Sequence, residues 1–178
     1  MKHKVGKSSM LVILFLAGAC MLVLALSPSI AAAAVFTYDQ KPAFSVTYPD
    51  EWVDNPDNVS QYHVLFSAKN SVGIPVINVQ VREIPAGATL ADAGKLWKKL
   101  ICDPEQGQDC QIISDKPTTL KDGTKAHETL LKYKYQNWLP LQAVVLAVFK
   151  DKKWIRVDIH QSANDDPSWD IVRTLKFK

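Results

Sequence analysis

The side chains best placed to do chemistry sit on one short stretch, Trp154-Ile155-Arg156-Val157-Asp158-Ile159-His160. In an extended strand every second side chain points the same way, so Trp154, Arg156, Asp158 and His160 share one side. A carboxylate beside an imidazole can ligate a metal ion or work as an acid–base pair. The plainer reading is a strand that simply alternates, with Asp158 and His160 solvated or paired structurally, and it is the one favoured here. His63 and His127 fall on other predicted strands. Asp165, Asp166 and Asp170 form a second cation candidate, but helix capping and dipole compensation account for the first two. Tyr133, Tyr135, Trp138 and Trp154 gather in or beside two late strands. With Arg156 they make a candidate binding surface of the kind that Tyr, Trp and Arg build at protein interfaces. Packing beneath a helix explains the aromatics equally well.

Other chemistries lack their signatures. There is no nucleophile elbow, phosphate-binding loop, dinucleotide fingerprint or His-Glu-x-x-His pattern, and glycine is scarce. Asn58-Val59-Ser60 fits a glycosylation sequon, a frequent chance match. Cys102 and Cys110 bracket a short polar stretch and read first as a disulfide. Closing so short a loop stabilises a chain by roughly 2–3 kcal/mol. A redox pair is normally spaced Cys-x-x-Cys, and no second pair completes a zinc site.

The opening of the chain supplies the context for that disulfide. Lys2, His3, Lys4 and Lys7 precede an apolar run over residues 10–26, followed by Ser27-Pro28-Ser29 and four alanines, 31–34. This is the pattern of a secretory signal peptide, with residues 1–34 removed and residues 35–178 left as one domain in a periplasmic or secreted location. The alternative is a membrane anchor at residues 10–26, the only membrane contact expected. Cys20 loosely imitates a lipidation site but sits inside the apolar run, so it is read as part of the discarded segment. Cleavage takes three of the 21 basic residues and none of the 18 acidic ones, leaving a nearly neutral chain. Nothing in that balance calls for nucleic acid as a partner.

The elements that must position these residues follow from periodicity. Strands are predicted at Val35–Asp39, Ala43–Tyr48, Tyr62–Ala68 and Pro75–Glu83, with a surface loop over Asp54–Asn58. Thr89–Ile101 switches to helical period. Thr89 is its N-cap and Leu90, Ala93, Leu96, Trp97, Leu100 and Ile101 lie on one face. Four further strands follow, Gln111–Thr119, Thr124–Gln136, Leu139–Lys150 and Lys153–His160. A closing helix starts at Asp166-Pro167 and carries Trp169, Ile171, Val172 and Leu175. Consecutive hairpins with a helix in the middle and one at the end imply an α+β domain with a mainly antiparallel sheet.

Several of these stretches resemble the PsbP family. Phe44-Ser45-Val46-Thr47-Tyr48-Pro49-Asp50-Glu51-Trp52 is similar to that family's opening strand. The helix entry Ala88-Thr89-Leu90, the turn Leu120-Lys121-Asp122-Gly123 and Asp151-Lys152-Lys153-Trp154 before a strand fit in order. The resemblance implies an α-β-α sandwich, a central antiparallel sheet with helices on both sides, shared with Mog-type Ran-binding proteins. It implies a non-catalytic module that docks on a larger envelope or membrane-associated protein. Calcium or another divalent cation enters as a cofactor by resemblance alone, since the residues themselves make none evident. The longer N-terminal segment of the photosynthetic members has no visible counterpart here. A small-molecule or metal-ion-binding periplasmic protein is the alternative, and an enzyme at Asp158 and His160 ranks below both.

Overall fold

Strand-forming runs dominate the chain, and the computed structural model, which describes residues 33–62, 64–102 and 107–178, arranges them in two antiparallel sheets. The first has three strands in the order β1–β2–β10: β1 (Ala33–Tyr38), β2 (Phe44–Pro49) and β10 (Lys176–Phe177). The second has seven, β3 (Val53–Asp54), β4 (Phe66–Lys69), β5 (Val76–Glu83), β6 (Gly107–Thr119), β7 (Lys125–Tyr135), β8 (Leu139–Lys150) and β9 (Lys153–Ser162). Their spatial order is β3–β4–β5–β9–β8–β7–β6, so β9 and β8 are interior. The helices are α1 (Pro56–Tyr62), α2 (Ala93–Ile101, entered through a 3₁₀ turn at Leu90–Asp92) and α3 (Trp169–Val172).

The two faces of the large sheet differ in chemistry. One presents Ala68, Ile77, Val79, Val144, Leu146, Val148, Ile155, Val157 and Ile159, all buried. Phe44 and Val46 of β2, Phe177 of β10 and Val172 of α3 complete this main core. The other face carries α2 and α1, over a smaller apolar cluster of Trp97, Leu131, Tyr133, Leu141, Ala143 and Val145. The α+β class and the central antiparallel sheet with helices on both sides are therefore present, and the small sheet does most of the covering opposite α2.

Four local readings need correction. The expected loop over Asp54–Asn58 contains the start of α1: Pro56 pre-sets the first helical residue, and the Val59 N–H donates to the Asn55 carbonyl at 3.3 Å. Tyr62, expected in a strand, closes that helix, and β4 begins only at Phe66. The closing helix is a single turn, because residues 176–177 leave it to pair with Ser45 and Phe44 of β2. Within α2, Leu100 is 42% exposed while Gly94 is buried, so the packed face is rotated from the expected one. The expected signal peptide and the alternative anchor at residues 10–26 lie outside the described residues. Strand β1 starts at Ala33, two residues inside the segment expected to be removed.

Candidate functional site

The strand that carries Asp158 lies between β5 and β8, and its polar side faces α2 rather than solvent. That placement changes the chemistry of every group on it. Asp158 is wholly buried and accepts three hydrogen bonds. Arg156 Nε donates to Oδ1 at 2.7 Å. Asn78 Nδ2, directly across on β5, donates to Oδ2 at 3.0 Å, and His160 Nε2 sits 2.9 Å from the same oxygen. Because a carboxylate only accepts, the bonding assigns the Nε2 proton to the ring. Nδ1 of His160 lies 2.6 Å from the Tyr133 hydroxyl on β7, whose proton the neutral ring can accept. Asn58 of α1 extends the chain, donating to Asn78 Oδ1 at 2.5 Å and to Ser67 Oγ at 3.0 Å.

Helix α2 closes this cluster from above. Trp97 lays its ring over the Arg156 guanidinium, 3.7 Å from centroid to Cζ, and meets His160 edge to face. Gly94 allows the helix to come close: an added Cβ would lie 2.2 Å from Asp115 Oδ1 and 2.8 Å from Thr129 Oγ1. Beneath it Asp115 accepts from Thr129 Oγ1 and pairs with His127 Nε2, each at 2.8 Å.

The electrostatics follow from burial and pairing. Burial alone would raise the Asp158 pKa, but adjacent Arg156 and the bonds from His160 and Asn78 outweigh it. The carboxyl is held well below the usual carboxylate range. Burial pulls the Arg156 guanidinium below its ordinary value, and Asp158 opposes that shift. An ionised acid whose acceptor sites are occupied by fixed donors is a structural anchor, poorly suited to taking up or releasing protons.

Of the expected site residues, the fold unites Asp158, His160, Arg156 and Tyr133, and it separates others. Of the two plain readings of Asp158 and His160, solvated or paired structurally, the structure shows the second, because β9 is an interior strand covered on both faces. Trp154 and Arg156 are buried for the same reason and Tyr133 is buried on β7 against Trp97, so the expected aromatic rim is not one exposed surface. Trp138, by contrast, is 68% exposed at the tip of the β7–β8 turn, with Tyr135 half-buried beside it. Cys102 and Cys110 form a disulfide that ties the end of α2 to β6. Asn58 of the sequon turns its amide inward to two partners. His63 lies outside the described residues. Asn58 reads only as part of a surface loop and a sequon, and Asn78, Asp115 and Thr129 were missed, since amide, carboxylate and hydroxyl side chains on alternating strands read as solvent-facing. Burial of that face follows only from the strand order.

The calcium implied by the resemblance does not fit these residues. Among the described residues, no three His, Cys, Asp or Glu side chains gather to hold a metal ion. The backbone carbonyls of Asp165 and Asp166 are taken by Gln142 and Gln161.

A long antiparallel sheet with helices on both faces, a small sheet over one of them and a closed polar cluster between helix and strands define an α+β sandwich protein. The profile of the PsbP family matches residues 33–174, and the chain belongs to that family. It is similar in structure to cyanobacterial PsbP (CyanoP) from Synechocystis sp. PCC 6803, with a TM-score of 0.64 at 15% identity over 85% of this chain and 96% of that one. It is also similar to the Saccharomyces cerevisiae Ran-binding protein Mog1p, with a TM-score of 0.54 at 10% identity over 75% and 79% of the two chains. A point mutant of the protein Mog1 gives a TM-score of 0.58 at 10% identity, over 82% and 95%. No curated protein matches the sequence itself.

Proposed function

We propose that the protein is an exported, non-catalytic binding module that docks on another envelope or membrane-associated protein. The observation that carries this reading is the closure of its best chemical site. Asp158, His160, Arg156 and Tyr133 satisfy one another beneath α2, and the carboxylate has no exposed surface. Reactive groups arranged this way stabilise a scaffold. Membership of the PsbP family supports the same conclusion, as does the similar fold of Mog1p, a Ran-binding protein.

The docking surface we favour is the end of the sheet that carries Trp138. Its indole projects from a turn in which Gln136 and Asn137 adopt φ of 49° and 65°, and the Trp138 N–H donates to the Tyr135 carbonyl at 3.3 Å. A large aromatic on a fixed turn loses little freedom on binding, which suits an anchor residue. Tagged protein captured from detergent-solubilised envelope should retain one partner in near-equal amount. Trp138→Ala should lose that partner while the domain melts at the same temperature. A clean negative at high bait concentration would overturn the docking role.

A further inference from the structure

Helix α2 is fastened at both ends and fully buries few side chains between them. At its start the Asp92 carboxylate accepts from the Thr89 backbone N–H at 3.0 Å and the Thr89 hydroxyl at 2.7 Å, both exposed. At its end Cys102 is bridged to Cys110. In between, only Ala93, Gly94 and Trp97 are buried. The surface beneath Gly94 and Trp97 is mixed: polar Asp115, Thr129, Arg156 and His160 lie beside an apolar patch of Leu131, Leu141, Ala143 and Val145. Trp97 is the one large side chain the helix fully buries, and its indole N–H finds no acceptor among the described residues. Cys110 falls in the bulge of β6 between Gln108 and Gln111, flanked by residues paired with β7. The bridge therefore pins the last turn of α2 to the sheet.

We infer that α2 is a redox-released cover: reducing the Cys102–Cys110 bridge lets the helix lift and opens the Tyr133–His160–Asp158–Arg156 cluster to solvent and ligands. The reaction is exchange with an external dithiol. Its thiolate attacks one sulfur of the bridge, and its second thiol resolves the mixed disulfide. The bridge gains two electrons and two protons, and the dithiol leaves as its own disulfide. Both half-cystines are only partly buried, so a small dithiol can reach them. The bridge holds the two Cα atoms 5.9 Å apart. The chain between them, extended, would span roughly 27 Å. This device is independent of the docking role.

The test uses the full chain with Cys20→Ala, so that one bridge alone can form. Amide exchange is followed by mass spectrometry before and after dithiothreitol, with diethyl pyrocarbonate as a probe of imidazole access. On reduction, exchange over residues 93–101 should accelerate on the order of 30-fold or more. His160 should become reactive while β8 amides over 144–148 keep their protection. Cys102→Ser combined with Cys110→Ser should reproduce the reduced pattern with or without dithiothreitol. Unchanged exchange over 93–101, or a His160 that stays unreactive, overturns the inference. So does equal acceleration across β8, because the bridge then supports the whole domain and not a cover.

Discussion

Asp158 contributes to stability only while it is ionised. In the unfolded chain an aspartate titrates near pH 3.9, whereas in the fold it is held well below its ordinary range. Its contribution is therefore full above about pH 4 and is lost as the pH falls from there towards the depressed value. Urea midpoints measured downward from pH 6 should drop steeply below pH 4, and Asp158→Asn should flatten that drop. At neutral pH the same substitution leaves Arg156 buried without its counter-charge, at a loss of about 3–5 kcal/mol. Equal acid sensitivity in the two proteins would refute this account of the cluster. The pairing of Asp158 with His160 was legible in the sequence, since period two places them on one side. Their burial was not. Asn78 and Asp158 meet because β5 pairs with β9 across a long sequence separation, and local periodicity carries no record of that neighbour.

At the scale of elements, α2 shows how a packed contact can reverse a propensity rule. Glycine within a helix ordinarily makes it less stable than alanine by roughly 1 kcal/mol. Gly94→Ala should nevertheless destabilise the protein, by about 1–3 kcal/mol, because the new methyl meets the Asp115 carboxylate. Asp115 cannot swing aside freely while His127 and Thr129 hold it. Thermal unfolding of the variant decides the sign, and a raised melting temperature would show that the helix is free to shift outward. Strands β5, β7, β8 and β9 were legible nearly to the residue, because long alternating runs bounded by turns leave little choice. Helix α1 was not, since Asn55-Pro56-Asp57 serves a turn as well as a helix start. The closing helix was overread for a related reason. Its apolar spacing is real, but Phe177 buries its ring better as part of β10, against Phe44 at 6.1 Å.

For the whole molecule, the sheet separates two kinds of interior. Aliphatic and aromatic packing between the sheets supplies most of the buried apolar surface, while the α2 face buries paired polar groups beside a smaller apolar cluster. Glu128 adds one such pair on the opposite face. Nearly inaccessible, it accepts a bidentate contact from Arg173 at 2.6 and 2.9 Å, which ties the segment after α3 to β7. Arg173→Ala should therefore lower stability by about 2 kcal/mol, read from chemical denaturation, even though the arginine is half exposed. An unchanged midpoint would mean that Glu128 finds another partner. Family membership was legible from short stretches in the right order, because the strand ends and turns that define the fold recur at matching intervals along this chain. Of the aromatics expected to form a binding surface, Trp138 is exposed, whereas Tyr133 and Trp154 serve the interior.

The measurement that tests the binding reading most directly is photo-crosslinking in intact cells, with a benzophenone amino acid placed at Trp138 and, separately, at Lys121 in the turn at the opposite end of the sheet. A binding module that docks by the Trp138 end predicts one discrete protein adduct from position 138 and none from position 121. No adduct from either position, or the same adducts from both, would contradict it.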